Sequence, residues 1–338
     1  MQDVRDTLWY DDELNALVII DQTQLPNNEV TRVITDEIGL VDAISSLAVR
    51  GAPAIGVAAA IGCAVAASRL PERDFEKNFT SMCERVAAAR PTAVNLRWAV
   101  ERLMRAFDPS VSAEESCRRL LRCALEIRDE DISVCTAIGD NGVGLLKDGY
   151  RVLTHCNAGR LAAVRYGTAL APVYRATERG MKIKVYADET RPLLQGARLT
   201  AYELSRAGID VTVQCDSMAA SLMAAGMIDA VFVGCDRCAA NGDFANKIGT
   251  LPLAIVSRRF SVPFYVCLPV SSVDLNAKNG SDIVVEQRAG YEVSDMWYAR
   301  RMTPEGVSIY NPAFDVTPSG LVTAYITEKG VFCPDGSR

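Results

Sequence analysis

The sequence predicts an α/β protein in two parts: a mainly helical N-terminal domain with a small β-meander, residues 1–145, and a parallel-sheet C-terminal domain, residues 146–338. Three observations carry this. Short strand-like runs open the chain, long helical stretches come next, and beyond residue 151 apolar β-branched runs alternate with helical segments. That last rhythm belongs to parallel strands joined by crossover helices, a doubly wound sheet.

In the first part, LVIID (17–21) and EVTRVI (29–34) read as strands. Helical stretches occupy 36–48, 51–68, 74–89, 92–107 and 112–138. The second of these, GAPAIGVAAAIGCAVAAS, carries no charge between Arg50 and Arg69. It is nearly long enough to cross roughly 30 Å of hydrocarbon. Its Ala and Gly are only weakly hydrophobic and nothing like it recurs, so it reads as a close-packed core helix. The Gly- and Asp-rich GDNGVGLLKDGY (139–150) marks the domain boundary.

In the second part, RVLTH, KIKVYA, DVTVQ, AVFVG, PFYVC and DIVV read as strands. They are continuous apolar runs, as expected for a sheet covered on both faces. The chemistry lies just beyond their ends. Cys156 and Asn157 come after the first strand, and Asp188, Glu189, Thr190 and Arg191 after the second. Cys215, Asp216 and Ser217 come after the third, and Asp236 and Arg237 after the fourth. Open α/β sheets bind ligands outside the carboxyl ends of their strands, so these groups are expected to converge on one crevice.

Composition removes several function classes. A net charge of −6 with a pI near 5.1 leaves no nucleic-acid footprint. An anionic substrate then needs local cations or helix N-termini. Eleven cysteines, an odd number without the spacing of a disulfide framework, indicate reduced thiols and a cytoplasmic setting. The acidic start MQDVRDTLWYDDE lacks signal-peptide order. No G-x-G-x-x-G comes after the first strand of the second domain and no Walker loop occurs, so nucleotide chemistry has no support.

A metal is not expected either. His155 is the single histidine, and Cys235 and Cys238 form a C-x-x-C with no second pair to complete four ligands. Both cysteines read as small buried hydrophobes. His155 beside Cys156 invites a nucleophile–base pair, but neighbours on a strand point to opposite faces and would not meet. Three places suit a phosphate. Arg50-Gly51-Ala52 leads into the Ala-rich helix, Gln195-Gly196 opens GARLTAYEL, and Asn246-Lys247 opens KIGTLPLAIV. Helix N-termini present orphan N–H groups to anions.

Longer strings then become recognisable. VRGAPAIGVAAAIG (49–62), ARPTAVNLRWA (89–99), LTHCNAG (153–159) and YGTAL (166–170) resemble 5-methylthioribose-1-phosphate isomerase. So do VYADETRPLLQGARLTAYEL (185–204), DRCAANGDFANKIGT (236–250) and NPAFDVTPSGLVTAYITEKG (311–330), covering nearly the whole chain. The wider family includes ribose-1,5-bisphosphate isomerases and regulatory subunits of the translation-initiation exchange factor. The resemblance implies a helical N-terminal domain, a Rossmann-like C-terminal domain and a homodimer. It implies cofactor-independent aldose-to-ketose conversion of a small sugar phosphate in methionine salvage. Cys156 and Asp236 match the catalytic pair. Arg50, Gly51, Ala52, Arg90, Gln195, Asn246 and Lys247 match substrate-binding positions, mostly around the phosphate.

The chain departs from the family where Arg160 and Arg165 replace small residues and where QCDSMAASLM replaces a TDNMA-type string. The arginines leave the 5-substituent of the sugar open. On a continuous helix over 158–178 they would lie about 140° apart and could not share one ligand. Two rivals remain: the same reaction on ribose 1,5-bisphosphate or another 5-substituted ribose 1-phosphate, and a non-catalytic exchange-factor subunit. The second has no need of Cys156 and Asp236.

Overall fold

The structure, a computed structural model, describes residues 5–90 and 93–334. They fall into two units, one built from residues up to Thr136 with Gly159–Gly167, the other from Ala137–Ala158 and from Thr168 onward.

The first unit opens with an antiparallel meander, β1 (Leu8–Asp11), β2 (Ala16–Ile20) and β3 (Thr31–Ile34) in that order. Its central strand is buried throughout. Asp36 starts α1 (Glu37–Ser45) by accepting the Gly39 N–H at 2.8 Å, which satisfies a donor the helix cannot pair itself. In α2 (Ala52–Ala67) every residue from Ala54 to Ala67 is buried. Helices α3 (Phe75–Ala88), α4 (Val94–Ala106) and the first part of α5 (Ala113–Val143) complete the unit. Small residues let backbones approach: a Cβ on Gly56 would lie 3.1 Å from the carbonyl oxygen of Asn95 in α4. The uncharged Ala-rich segment is thus a core helix. Among the described residues no helix is long and apolar enough to cross a membrane.

The second unit runs β4 (Arg151–Thr154), α6 (Ala171–Glu178) and β5 (Lys184–Asp188), then a π-turn (Gly196–Thr200) leading straight into α7 (Ala201–Arg206). Next come β6 (Asp210–Gln214), α8 (Ala219–Ala224), β7 (Ala230–Val233), β8 (Arg237–Ala239), β9 (Phe244–Lys247) and α9 (Thr250–Arg259). The chain ends through β10 (Phe264–Cys267), β11 (Val273–Asp274), α10 (Tyr291–Ser294), β12 (Phe314–Thr317), β13 (Ala324–Thr327) and β14 (Gly330–Phe332).

Seven strands form one sheet in the order β14-β13-β10-β7-β4-β5-β6. All neighbours are parallel except the β13–β14 hairpin. From β4 the chain steps outward through β5 to β6. It then returns to the other side of β4 and continues through β7, β10 and β13. This is the Rossmann-like order, with its topological switch point between β4 and β7. Leu153, Val231, Val233, Phe264 and Val266 pack together in the core of this unit. A four-stranded sheet, β11-β8-β9-β12, grows from the segment after β7.

One expected strand is absent. DIVV (282–285) is not extended pairing backbone, because Asn279 and Asp282 form a reciprocal capping box around a short 3₁₀ turn, Gly280–Asp282. Ile283 is buried but Val284 is 88% exposed. The polar capping pair outweighs a four-residue apolar run, and the strand that pairs with β10 on its outer side is β13.

Candidate active site

Strands β4 and β7 are hydrogen-bonded neighbours, with Thr154 opposite Phe232. Cys156 lies two residues beyond the end of β4 and Asp236 three beyond the end of β7. The two loops touch. A Cβ on Gly234 would lie 2.7 Å from the Ala158 Cβ and 3.8 Å from Asn246 Oδ1, so only glycine allows this approach. Asp236 donates its backbone N–H to the Ala245 carbonyl at 2.9 Å, tying it to β9. The loops that carry Cys156 and Asp236 therefore lie side by side at the switch point. Cys156 is partly exposed.

Beneath it, His155 is buried. Its Nδ1 lies 3.0 Å from Asp188 Oδ2 and its Nε2 2.8 Å from the Ile248 carbonyl oxygen. The other Asp188 oxygen accepts from Gln214 Nε2 at 2.8 Å. Burial pushes the imidazole down, but the hydrogen bond to Asp188, the charges of Asp188 and Asp216, and the Ile248 carbonyl outweigh it and hold its pKa above the ordinary value. His155 thus joins the β4 end to the turn after β9 and does not pair with Cys156. His155, Asp188 and Asp216 hold ligand atoms within 4.8 Å of one another. They do not suit a metal as they stand. Both His155 nitrogens and both Asp188 oxygens are engaged, and Asp216 accepts the N–H groups of Thr190 and Arg191 at 2.7 and 2.8 Å. Cys235 and Cys238 belong to the apolar cluster of this unit, and all eleven cysteines are free thiols.

The phosphate candidates fall out unevenly. Gly51 is the N-cap of α2 with φ of 88°, Pro53 comes after Ala52, and among the described residues no side chain caps this helix start. A Cβ there would lie 2.4 Å from the Ala162 carbonyl oxygen. Arg50 immediately precedes this cap, and Arg90 lies just beyond the end of α3. Gln195 is buried at the start of the π-turn, and its Oε1 has no partner among the described residues. Asn246 and Lys247 do not open a helix. They end β9, paired with Asp315 and Phe314 of β12, and α9 begins at Thr250 behind Gly249. Strand pairing captures the two polar residues because β12 offers a partner edge that the sequence does not announce. Asn246 Nδ2 donates to Thr250 Oγ1 at 2.9 Å, and Lys247 Nζ lies 4.7 Å from the Phe314 ring centroid.

Arg160 and Arg165 do not share a helix: Arg160 starts a 3₁₀ turn ending at Ala162, and α6 begins only at Ala171. Arg165 grips Asp6 through Nε and Nη2 at 2.7 and 2.9 Å. Arg160 is buried and donates to the Arg5 carbonyl.

Residues 48–334 match the initiation factor 2 subunit family. The chain belongs to that family. It is 52% identical over 328 residues to a methylthioribose-1-phosphate isomerase of Parabacteroides distasonis, covering 96% of this chain and 98% of the relative. It is 49% identical over 334 residues to a 5-deoxyribose 1-phosphate isomerase of Clostridium botulinum, covering 96% and 94%. Among solved structures, 5-methylthioribose 1-phosphate isomerase from Pyrococcus horikoshii superposes with a TM-score of 0.92 at 39% identity, covering 99% of this chain and 94% of that one. The translation initiation factor eIF-2B subunit delta from A. fulgidus superposes with a TM-score of 0.91 at 42% identity, covering 98% and 96%.

The His155–Asp188–Gln214 chain of hydrogen bonds was not legible in the sequence, nor was the pairing of Asn157 with Glu203 at 2.8 Å. A polar residue inside an otherwise apolar strand end, such as His155 after RVLT, is the local signal that a buried partner must exist.

Proposed function

We propose that this chain is an aldose–ketose isomerase that converts 5-methylthioribose 1-phosphate to 5-methylthioribulose 1-phosphate, a step of methionine salvage. The observation that carries this reading is the placement of Cys156 and Asp236 on the two loops that meet at the β4–β7 switch point. A 1-phosphorylated aldose cannot open its ring unaided, because the anomeric oxygen carries the phosphate. Asp236 gives a proton to the ring oxygen as its bond to C1 breaks, and recovers one from the 2-hydroxyl as the ketone forms. Cys156 takes the proton from C2 and returns it to C1. Atoms balance without a redox partner, and neither metal nor nucleotide enters.

Arg50, Gly51, Ala52, Arg90, Gln195, Asn246 and Lys247 are the positions we assign to substrate binding, by the family resemblance. The catalytic pair belongs to the C-terminal domain, 146–338, of a cytoplasmic homodimer. Because Arg165 is held by Asp6 and Arg160 serves the Arg5 carbonyl, a neutral 5-substituent fits better than a second phosphate. Desolvating an unpaired dianion is costly. The Clostridium botulinum relative favours one second reading, 5-deoxyribose 1-phosphate as the better substrate.

Phosphorus NMR of the purified protein with methylthioribose 1-phosphate, 5-deoxyribose 1-phosphate and ribose 1,5-bisphosphate tests this. The expected order of kcat/KM places the bisphosphate last. Turnover of none of the three would end the isomerase reading. Deuterium appearing at C1 in D₂O would report exchange of the proton carried by Cys156 and would exclude a direct hydride shift.

A further inference from the structure

Cys156 has a backbone that its residue type does not favour. Its φ is +66°, in the left-handed region where a Cβ crowds the neighbouring carbonyl. Such a residue persists only where its surroundings over-determine it. Here both of its peptide groups are held. The Cys156 N–H donates to Thr190 Oγ1 at 2.8 Å, and the Cys156 carbonyl accepts from Thr200 Oγ1 at 2.7 Å.

Neither hydroxyl is free to turn away. Thr190 Oγ1 donates to the Asp188 carbonyl at 2.9 Å, and the Thr190 N–H is bound by Asp216 Oδ1 at 2.7 Å. Thr200 Oγ1 accepts from Asn157 Nδ2 at 3.1 Å. That same amide donates to Glu203 Oε1 at 2.8 Å. Thr190, Thr200, Glu203 and Asn157 are all buried, so water does not replace a lost partner. The π-turn has a local purpose here. Its wider winding from Gly196 ends at Thr200, and turns of this kind recur at functional sites.

We propose that Thr190 and Thr200 are positioning residues that clamp the two peptide groups of Cys156 and so hold its thiol at the switch-point crevice. The clamp lets a cysteine sit where glycine would otherwise be expected, because the left-handed backbone is stabilised by partners from the segment after the neighbouring strand. It rests on the reading of Cys156 as a catalytic residue, and the experiment separates the two.

Thr190→Val and Thr200→Val remove a hydroxyl and keep the branched shape; Thr190→Ser and Thr200→Ser keep the hydroxyl. Each valine variant is expected to lower kcat about 10- to 100-fold with KM within about 3-fold, the effect of a misplaced reacting group. Each serine variant should stay within about 3-fold of the parent in kcat, because its hydrogen bond is kept. Alkylation of Cys156 by iodoacetamide, followed at its own peptide by mass spectrometry, is expected to change about 5-fold in the valine variants and to recover in the serine ones, since reactivity tracks the thiol's surroundings. A general loss of packing would lower the melting temperature without this valine-to-serine pattern. Should a valine variant fail to fold, Thr200→Ala against Thr200→Ser gives the same comparison. Folded valine variants with parental kcat and parental alkylation would overturn the clamp. Full activity in Cys156→Ser would overturn the catalytic reading instead, while altered alkylation in the valine variants would still support the clamp.

Discussion

Helix α2 and the loop after β4 are both largely buried, and they are held by opposite means. In α2 the stretch from Ala54 to Ala67 meets its neighbours through apolar side chains alone, most of them Ala or Gly. Its backbone polar groups are satisfied inside the helix, and stability comes from close approach, as at Gly56 against the Asn95 carbonyl. In the loop after β4, His155, Cys156 and Asn157 are each held by specific hydrogen bonds to Asp188, Thr190, Thr200 and Glu203. Close packing spreads its effect over many weak contacts. A buried polar network concentrates it in a few, each costly to lose. The first arrangement suits a scaffold, the second a site that requires one geometry.

That contrast is broken most severely at the crevice. Cys156→Ser and Asp236→Asn are each expected to lower kcat by about 1,000-fold or more while substrate affinity stays within a few-fold, since volume is kept and proton chemistry is lost. Steady-state kinetics with equilibrium binding checks this. Activity within a few-fold of the parent in either variant would dissolve the proposed pair.

Asp188→Asn strikes the network and not the reacting groups. Removing one partner of a buried pair should lower unfolding stability by about 3 kcal/mol near pH 6, read by urea denaturation. The pH dependence has a definite sign. Because the folded His155 has a raised pKa, its contribution is fully present below the unfolded value of about 6.5. It is lost as pH rises through the folded value. The gap between parent and Asp188→Asn should therefore narrow toward alkaline pH. A gap that stayed constant with pH would mean that His155 is neutral in the native protein.

In the scaffold, Gly56→Val should lower stability by about 2 kcal/mol, because overpacking forces the α4 backbone away. KM should not change. A variant that loses substrate affinity but not stability would contradict the division of labour drawn above.

The smallest effect concerns one polar intrusion in that unit. Asp131 in α5 turns its carboxyl inward, accepts the Val164 N–H at 2.8 Å, and is pushed by burial up to about 6. A raised carboxyl loses stability as pH rises from its unfolded value through the folded one. Asp131→Asn should thus stabilise the protein by about 1 kcal/mol at pH 7.5, part of the roughly 3 kcal/mol that two pK units represent. The remainder is offset by an enclosed amide facing Cys135. Thermal melts at pH 5 and 7.5 should show the gain only at the higher pH.

Much of the architecture is written in the sequence by itself. Apolar runs at strand length, alternating with helices after residue 151, dictate a sheet covered on both faces, because burial on two sides leaves no polar alternation. The charge-free, Ala- and Gly-rich stretch reads as a close-packed core helix, and polar residues after four strands mark the crevice. Tertiary structure alone decided the rest. Periodicity reports how deeply a residue is buried but not which strand lies beside which, so the adjacency of β4 and β7 appears only in the folded sheet. DIVV looks like a strand until a capping box claims its first residue, and Asn246-Lys247 looks like a helix start until β12 pairs with it. The left-handed Cys156 has no local signature at all, because what holds it are hydroxyls 34 and 44 residues further along the chain.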